Sequence, residues 1–130
     1  ETPGTEVSSA VCNGLWVWAD FNTTMMGQPF EGHGLVGYDP GTKTYTNYWV
    51  DSMSPYLTEL TGTYDSKTKT MSASGTSTDP MGNAMPMVET ITWKDEHSRV
   101  ANFTCGSGTE AVKFEILYKR AQQEGAYKIK

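Results

Sequence analysis

Apolar and polar residues alternate along short stretches of this chain, and turn-forming residues separate those stretches. From Leu15 to Phe21 every second residue is apolar, and from Met87 to Trp93 a second regular alternation follows. A period of two is typical of strands with two different faces, whereas a helix repeats every 3.6 residues. The pattern predicts no amphipathic helix and nine strands, at Thr5–Cys12, Leu15–Phe21, Phe30–Tyr38, Tyr45–Asp51, Leu57–Tyr64, Met71–Thr76, Met87–Trp93, Arg99–Cys105 and Glu110–Tyr118.

The segments between these strands carry turn chemistry, and one kind of turn recurs. Tyr38–Thr44 (YDPGTKT) is matched by Tyr64–Thr70 (YDSKTKT), and Trp93–Ser98 (WKDEHS) is a looser third copy. Asn13-Gly14 suits a hairpin turn in which both residues need a positive φ. Longer loops are expected at 22–29 and 77–86.

Consecutive hairpins of short strands must hide their edges, which favours closure into a barrel. We therefore predict an all-β, antiparallel up-and-down meander that forms a lipocalin-like barrel. Such a barrel has room for side chains or one small ligand. Residues 1–120 would form this single domain, and 121–130 a polar C-terminal tail, either frayed or a short helix.

The strand after the first Tyr-Asp turn has an unusual face. Tyr45, Asn47, Trp49 and Asp51 fall on one side of it because side chains alternate along a strand. Large rings beside an amide and a carboxylate suit the wall of a small cavity better than a purely apolar core. This stretch is the centre of the functional hypothesis.

The composition and charge of the chain argue against nucleic acid and membranes as partners. The chain has 130 residues, 37% of them hydrophobic, with 13 glycines and a net charge of -5. Its lysines are scattered, whereas binding to nucleic acid or an anionic membrane surface needs clustered basic residues. No run of about 18 apolar residues occurs, which excludes a membrane-spanning helix. The sequence does not indicate a compartment.

The candidate ligand-binding residues are the inward-facing rings and polar groups of two strands: Asn47, Trp49, Asp51, Glu89 and Trp93. Carboxylates among aromatic rings would have shifted pKa values, as is typical of functional sites. In the alternative interpretation, Asp51 caps a strand end or bonds a loop, and Glu89 lies at the barrel rim. Asp51 and Glu89 could also act as an acid–base pair, but no nucleophile motif accompanies them.

Other kinds of chemistry have weaker signals. Met81, Met85 and Met87 are closely spaced, and thioethers suit Cu(I), although methionines that flank a proline also pack loops against barrels. His33 and His97 are isolated in sequence, and no HxH or CxxC spacing is present. We therefore predict no metal site and no cofactor.

The nucleophile candidates also lack partners. Cys12 and Cys105 each lie near a glycine turn and could either pair or remain free thiols. Ser52 and Ser54 are not in a Gly-x-Ser-x-Gly elbow, and phosphate-binding and dinucleotide motifs are absent. These absences favour a binding module over an enzyme, so we predict no catalytic residues.

The chain resembles the bacterial domain-of-unknown-function family 1579 from Thr5 to about Arg120. The resemblance lies in the order and spacing of several short motifs, which are Asn13-Gly14-Leu15-Trp16, Gly37-Tyr38-Asp39, Trp49-Val50-Asp51-Ser52, Gly62-Thr63-Tyr64-Asp65, Asp79-Pro80-Met81-Gly82 and Glu115-Ile116-Leu117-Tyr118-Lys119-Arg120. It implies a calycin-like barrel and a bacterial source. It implies no settled activity and supplies no catalytic residues.

One departure from that family has a structural consequence. Members usually begin with a further strand carrying a Leu-x-Gly-x-Trp pattern, which is not found ahead of Thr5. Either the natural protein is shorter or the chain begins inside the domain. A barrel without one strand exposes a backbone edge that a second copy could cover. The exposed edge therefore predicts a homo-oligomer. The aromatic and polar wall described above predicts that the barrel binds a small, partly apolar molecule. The alternative is an assembly protein with a filled barrel.

Overall fold

A computed structural model describes residues 3–123 and 126–129, and it contains strands at nearly all the predicted places. The strands are β1 (Gly4–Val11), β2 (Trp16–Met25), β3 (Gln28–Asp39), β4 (Thr44–Asp51), β5 (Ser54–Asp65), β6 (Thr70–Thr78), β7 (Ala84–Asp95), β8 (Ser98–Cys105), β9 (Val112–Gln123) and β10 (Ala126–Ile129). A three-residue 3-10 turn, Gly108–Glu110, precedes β9. Among the described residues there is no helix with the length and apolar character needed to cross a bilayer.

The sheet is an antiparallel meander in which each strand from β1 to β9 pairs with the next along the chain. The sheet curls strongly, and the short strand β10 lies between β9 and β1. Among the described residues, β10 pairs with β9 at four positions but with β1 at two, Glu6 and Val7. The predicted all-β, up-and-down meander is confirmed.

Backbone pairing closes the barrel over only part of the length of β9. Β9 pairs with β10 from Arg120 to Gln123, and its remaining residues, Val112–Lys119, pair with β8 on one side only. No strand among the described residues pairs with the other edge of that segment. The barrel wall therefore has an open edge along most of β9.

Several boundaries differ from the sequence prediction. The expected loop at 22–29 shrinks to a two-residue turn, because Met26 and Gly27 both adopt positive φ and let β2 and β3 continue to the tip. The expected loop at 77–86 likewise shrinks to 79–83. Where a tail or helix was expected, β9 continues to Gln123 and β10 follows. Residues 124, 125 and 130 lie outside the described residues.

The two ends of the barrel carry different turns. Because the strands alternate in direction, the turns 12–15, 40–43, 66–69 and 96–97 lie at one end, which we name the aromatic end. The turns 26–27, 52–53, 79–83 and 106–111 lie at the opposite end. The apolar residues that are buried among those described are all on the inner face: Leu60, Met71, Ala73, Ala101 and Tyr118.

Candidate functional site

The repeated Tyr-Asp turns place aromatic rings around the aromatic end. The Asp39 carboxylate accepts hydrogen bonds from the backbone N–H groups of Gly41 at 2.8 Å and Thr42 at 3.4 Å. Asp65 accepts from Lys67 and Thr68 at the same two distances. An aspartate that binds the backbone two residues later stabilises a tight turn. Each such turn follows a strand whose last inward residue is aromatic.

Inward side chains near this end of the barrel line an open cavity. It has a volume of about 360 Å³ and is lined by Tyr45, Tyr64, Met71 and Trp93. Tyr64 and Trp93 meet edge to face, with ring centroids 5.8 Å apart. The volume lies within the range of small-molecule pockets, and the lining is mostly apolar, as in most such pockets.

A polar bridge crosses the barrel interior beside this cavity. Asn47 on β4 donates from Nδ2 to Glu89 Oε1 on β7 at 2.8 Å, so the two side chains span both β5 and β6. Asn47 is the next inward residue after Tyr45, about 7 Å along the strand. Glu89 lies on the same face of β7 as Trp93. Two predicted site residues, 42 positions apart in sequence, are therefore in contact.

A second bridge joins β1 to β8 in the same way. Arg99 donates from Nη2 to Glu6 Oε1 at 2.6 Å, and Ser8 donates its hydroxyl proton to the same oxygen at 3.1 Å. The Arg99 guanidinium lies over the Tyr118 ring, 4.2 Å from its centroid. The Glu6 side chain is only 8% exposed. This ion pair is therefore a largely buried one.

The two bridges influence each other electrostatically. Burial raises the pKa of Glu89, and the Glu6 charge raises it further, while the Asn47 hydrogen bond and the Arg99 charge oppose this. Burial also raises the pKa of Tyr118, with Glu6 contributing. The interior thus holds two carboxyl groups and one guanidinium within electrostatic range of one another.

Two polar atoms of this cluster have no hydrogen-bond partner among the described residues. In the part of the chain that the structure describes, Asn47 Oδ1 and Arg99 Nε are buried and make no hydrogen bond. Most buried polar atoms in proteins are paired with protein groups or water, so an atom without a protein partner indicates a bound water, strain or a functional role. Trp93, Arg99 and Tyr118 also line a small cleft of about 20 Å³ at the same end of the barrel.

The other two predicted site residues form a separate pair. Trp49 donates from Nε1 to Asp51 Oδ2 at 2.8 Å, and Asp51 Oδ1 accepts from the Met53 backbone at 2.9 Å. The Trp49 ring lies over Gly32, where a side chain would overlap it, and meets Phe21 edge to face at 6.0 Å. Asp51 thus binds the turn at its strand end, as in the alternative interpretation. Asp51 and Glu89 engage different partners.

The residues considered for a metal site are dispersed. Met81 is 85% exposed in the loop before β7, whereas Met85 and Met87 are half-buried within β7. On the outer face, His33 is held between two carboxylates, Asp20 and Glu31, at 2.7 Å each. Within residues 3–123 and 126–129, no three His, Cys, Asp or Glu side chains form a group that could hold a metal ion.

The candidate nucleophiles have structural partners or stand apart. Cys12 and Cys105 are free thiols at opposite ends of the barrel, so the alternative in which they pair is wrong. The hydroxyl oxygen of Ser52 accepts from the Glu31 backbone N–H at 3.1 Å, and that of Ser54 accepts from the Tyr56 N–H at 3.1 Å. Both serines stabilise the backbone around a turn.

Sequence reasoning missed the second bridge. Glu6 and Arg99 are 93 positions apart, and neither lies in a motif. The available signal was Arg99 itself, a charged residue on the same face of its strand as Ala101 and Phe103. Tyr64 had a clearer signal, because the repeated Tyr-Asp turns already marked it.

Comparison with known proteins identifies a family but no described activity. A family model described as "Protein of unknown function (DUF1579)" matches residues 1–120, which is most of the chain. No curated protein matches the sequence. The chain therefore belongs to the DUF1579 family of proteins of unknown function.

Proposed function

We propose that this protein binds a small, partly apolar molecule in the cavity at the aromatic end of its barrel. The observation that carries the proposal is the cavity of about 360 Å³ lined by Tyr45, Tyr64, Met71 and Trp93. A barrel core filled for stability alone would bury these rings, but Tyr64 remains 42% exposed on the inner face. Exposed apolar surface inside a concave site stabilises a bound ligand when water is displaced.

The predicted wall residues have different roles in this proposal. Trp93 contacts the ligand directly, and Asn47 with Glu89 supplies polar groups deeper in the barrel. Trp49 and Asp51 pack the opposite part of the interior and hold β3 and β4 together. We therefore expect Trp93, Asn47 and Glu89 to affect binding more than Trp49 and Asp51.

Native mass spectrometry of the purified protein tests the proposal first. A bound molecule appears as excess mass that disappears on denaturation. Trp93→Ala should lose this adduct, while Trp18→Ala is the matched control because Trp18 lies on the outer face of β2. An adduct retained by Trp93→Ala, or no binding of any apolar probe, would contradict a ligand site in this cavity.

We propose self-association as a second candidate function, because the edge of β9 is open over Val112–Lys119. An unpaired edge presents a row of backbone donors and acceptors that a strand from another copy can bind. Leu117, on the outer face of this strand, is 58% exposed. The same mass spectra report the number of copies. A monomer at all concentrations would rule out self-association and leave the ligand proposal unaffected.

A further inference from the structure

We propose that the cavity selects a ligand that carries a protonated primary or secondary amine next to an apolar group. This inference rests on the proposed ligand-binding function and specifies the chemical class of the ligand. Three features of the described residues support it, and each concerns a different part of the site.

The first feature is the charge of the interior cluster. Arg99 is bound to Glu6 at 2.6 Å, and the guanidinium is stacked on Tyr118. Among the described residues, the hydrogen-bond partner of Glu89 is the neutral amide of Asn47. A carboxylate held away from water is stabilised by a nearby positive charge. Glu89 is thus the carboxylate in this cluster that a cationic ligand would neutralise.

The second feature is the unpaired oxygen of Asn47. Asn47 Oδ1 is buried and accepts no hydrogen bond from any described residue. An acceptor in this position requires an N–H or O–H donor. A primary or secondary ammonium group has at least two N–H donors, so it can donate to Asn47 Oδ1 and to Glu89 at once, because these two side chains are already in contact. A quaternary ammonium group cannot donate to either.

The third feature is the aromatic wall. Tyr45, Tyr64 and Trp93 are three of the four residues that line the cavity. Aromatic faces attract cations and also pack against apolar groups. An amine that enters between these rings therefore meets favourable electrostatics on its way to Glu89. The net charge of -5 on the whole chain also favours a cationic ligand over an anionic one.

The test compares four probes of similar size by NMR titration: 2-phenylethylamine, its N,N,N-trimethyl derivative, 2-phenylethanol and 3-phenylpropionate. We expect the primary amine to bind about tenfold more tightly than the alcohol, since a hydrogen bond to a charged group is stronger than a neutral one. The trimethyl derivative and the carboxylate should both bind more weakly than the primary amine.

Glu89→Gln separates the charge from the shape of the site, because glutamine can still bond Asn47. This variant should lose the preference for amine over alcohol and keep its affinity for the alcohol. Glu115→Gln is the matched control, since Glu115 is exposed on the outer face of β9 and the substitution changes the net charge equally. It should retain the preference.

The outcomes distinguish the two proposals. Equal binding of amine and alcohol, tightest binding of the carboxylate, or an unchanged preference in Glu89→Gln would overturn the amine inference while leaving a ligand cavity in place. If none of the four probes binds and no adduct is found in native mass spectra, both proposals are wrong.

Discussion

Removing one member of the Glu6–Arg99 ion pair should cost a large part of the stability of this protein. The two side chains are 8% and 19% exposed, and their charged atoms are 2.6 Å apart. Glu6→Gln removes the counterion that is bonded to the guanidinium, and Arg99→Met leaves the Glu6 carboxylate without its cation inside the barrel. An uncompensated buried charge typically reduces the free energy of unfolding by about 3–5 kcal/mol.

That loss is large because small domains have a total unfolding free energy of only about 5–15 kcal/mol. With a typical urea dependence of about 1.5 kcal/mol per molar, each single variant should lower the unfolding midpoint by about 2 M or more. The double variant Glu6→Gln/Arg99→Met has no buried charge in this bridge. It should lose less than the sum of the single losses, by about 0.5–3 kcal/mol.

Urea unfolding monitored by tryptophan fluorescence measures all four corners of this cycle. Glu96→Gln is the control, because Glu96 is 84% exposed in its ion pair with His97 and such pairs contribute little. A single variant that loses under about 1 kcal/mol, or losses that simply add in the double variant, would refute the view that the bridge is buried and coupled.

Two further predictions concern the outer face and the sheet. The carboxylates that flank His33 raise its pKa, so its contribution to stability is fully present below the unfolded-state pKa of about 6.5 and is lost as pH rises through the higher folded pKa. Unfolding free energies from pH 5.5 to 9 should show this loss in the natural protein and not in His33→Gln. A variant that loses stability over this range as much as the natural protein does would contradict the prediction. Gly62→Ala should reduce the unfolding free energy by about 3 kcal/mol, because its Cβ would overlap the backbone oxygen of Ser72. The control is Gly34→Ala, whose Cβ would make ordinary contact with Trp49 at 3.5 Å. It should change the unfolding free energy by under about 0.5 kcal/mol in the same urea titration. Equal losses in the two variants would contradict the explanation by overlap.

The loop that became a turn shows one limit of sequence reasoning. Residues 22–29 contain Asn, Thr, Gly and Pro and predicted a loop, yet β2 and β3 pair along this whole segment. The turn depends on Met26 at a φ of 50°. Methionine rarely adopts that conformation, so no local signal marks it. The pairing of β2 with β3 stabilises this turn in spite of the unfavourable φ of Met26.

The sequence alone determined the strands, their inner and outer faces and the turns at the aromatic end. These features follow from local rules: side chains alternate along a strand, and aspartate and glycine stabilise tight turns. Tyr45, Asn47, Trp49 and Asp51 share a face for this reason. These local rules do not predict which residues of other strands the side chains on that face will contact.

Only the tertiary structure decided which of these residues meet. Asn47 reaches Glu89 because the sheet curls until β4 and β7 face each other across β5 and β6, and Glu6 reaches Arg99 in the same way. Curl and strand register depend on the packing of the whole sheet, and contacts 42 or 93 residues apart leave no periodic trace in the sequence. The buried charges, and with them the chemistry of the cavity, are therefore properties of the fold.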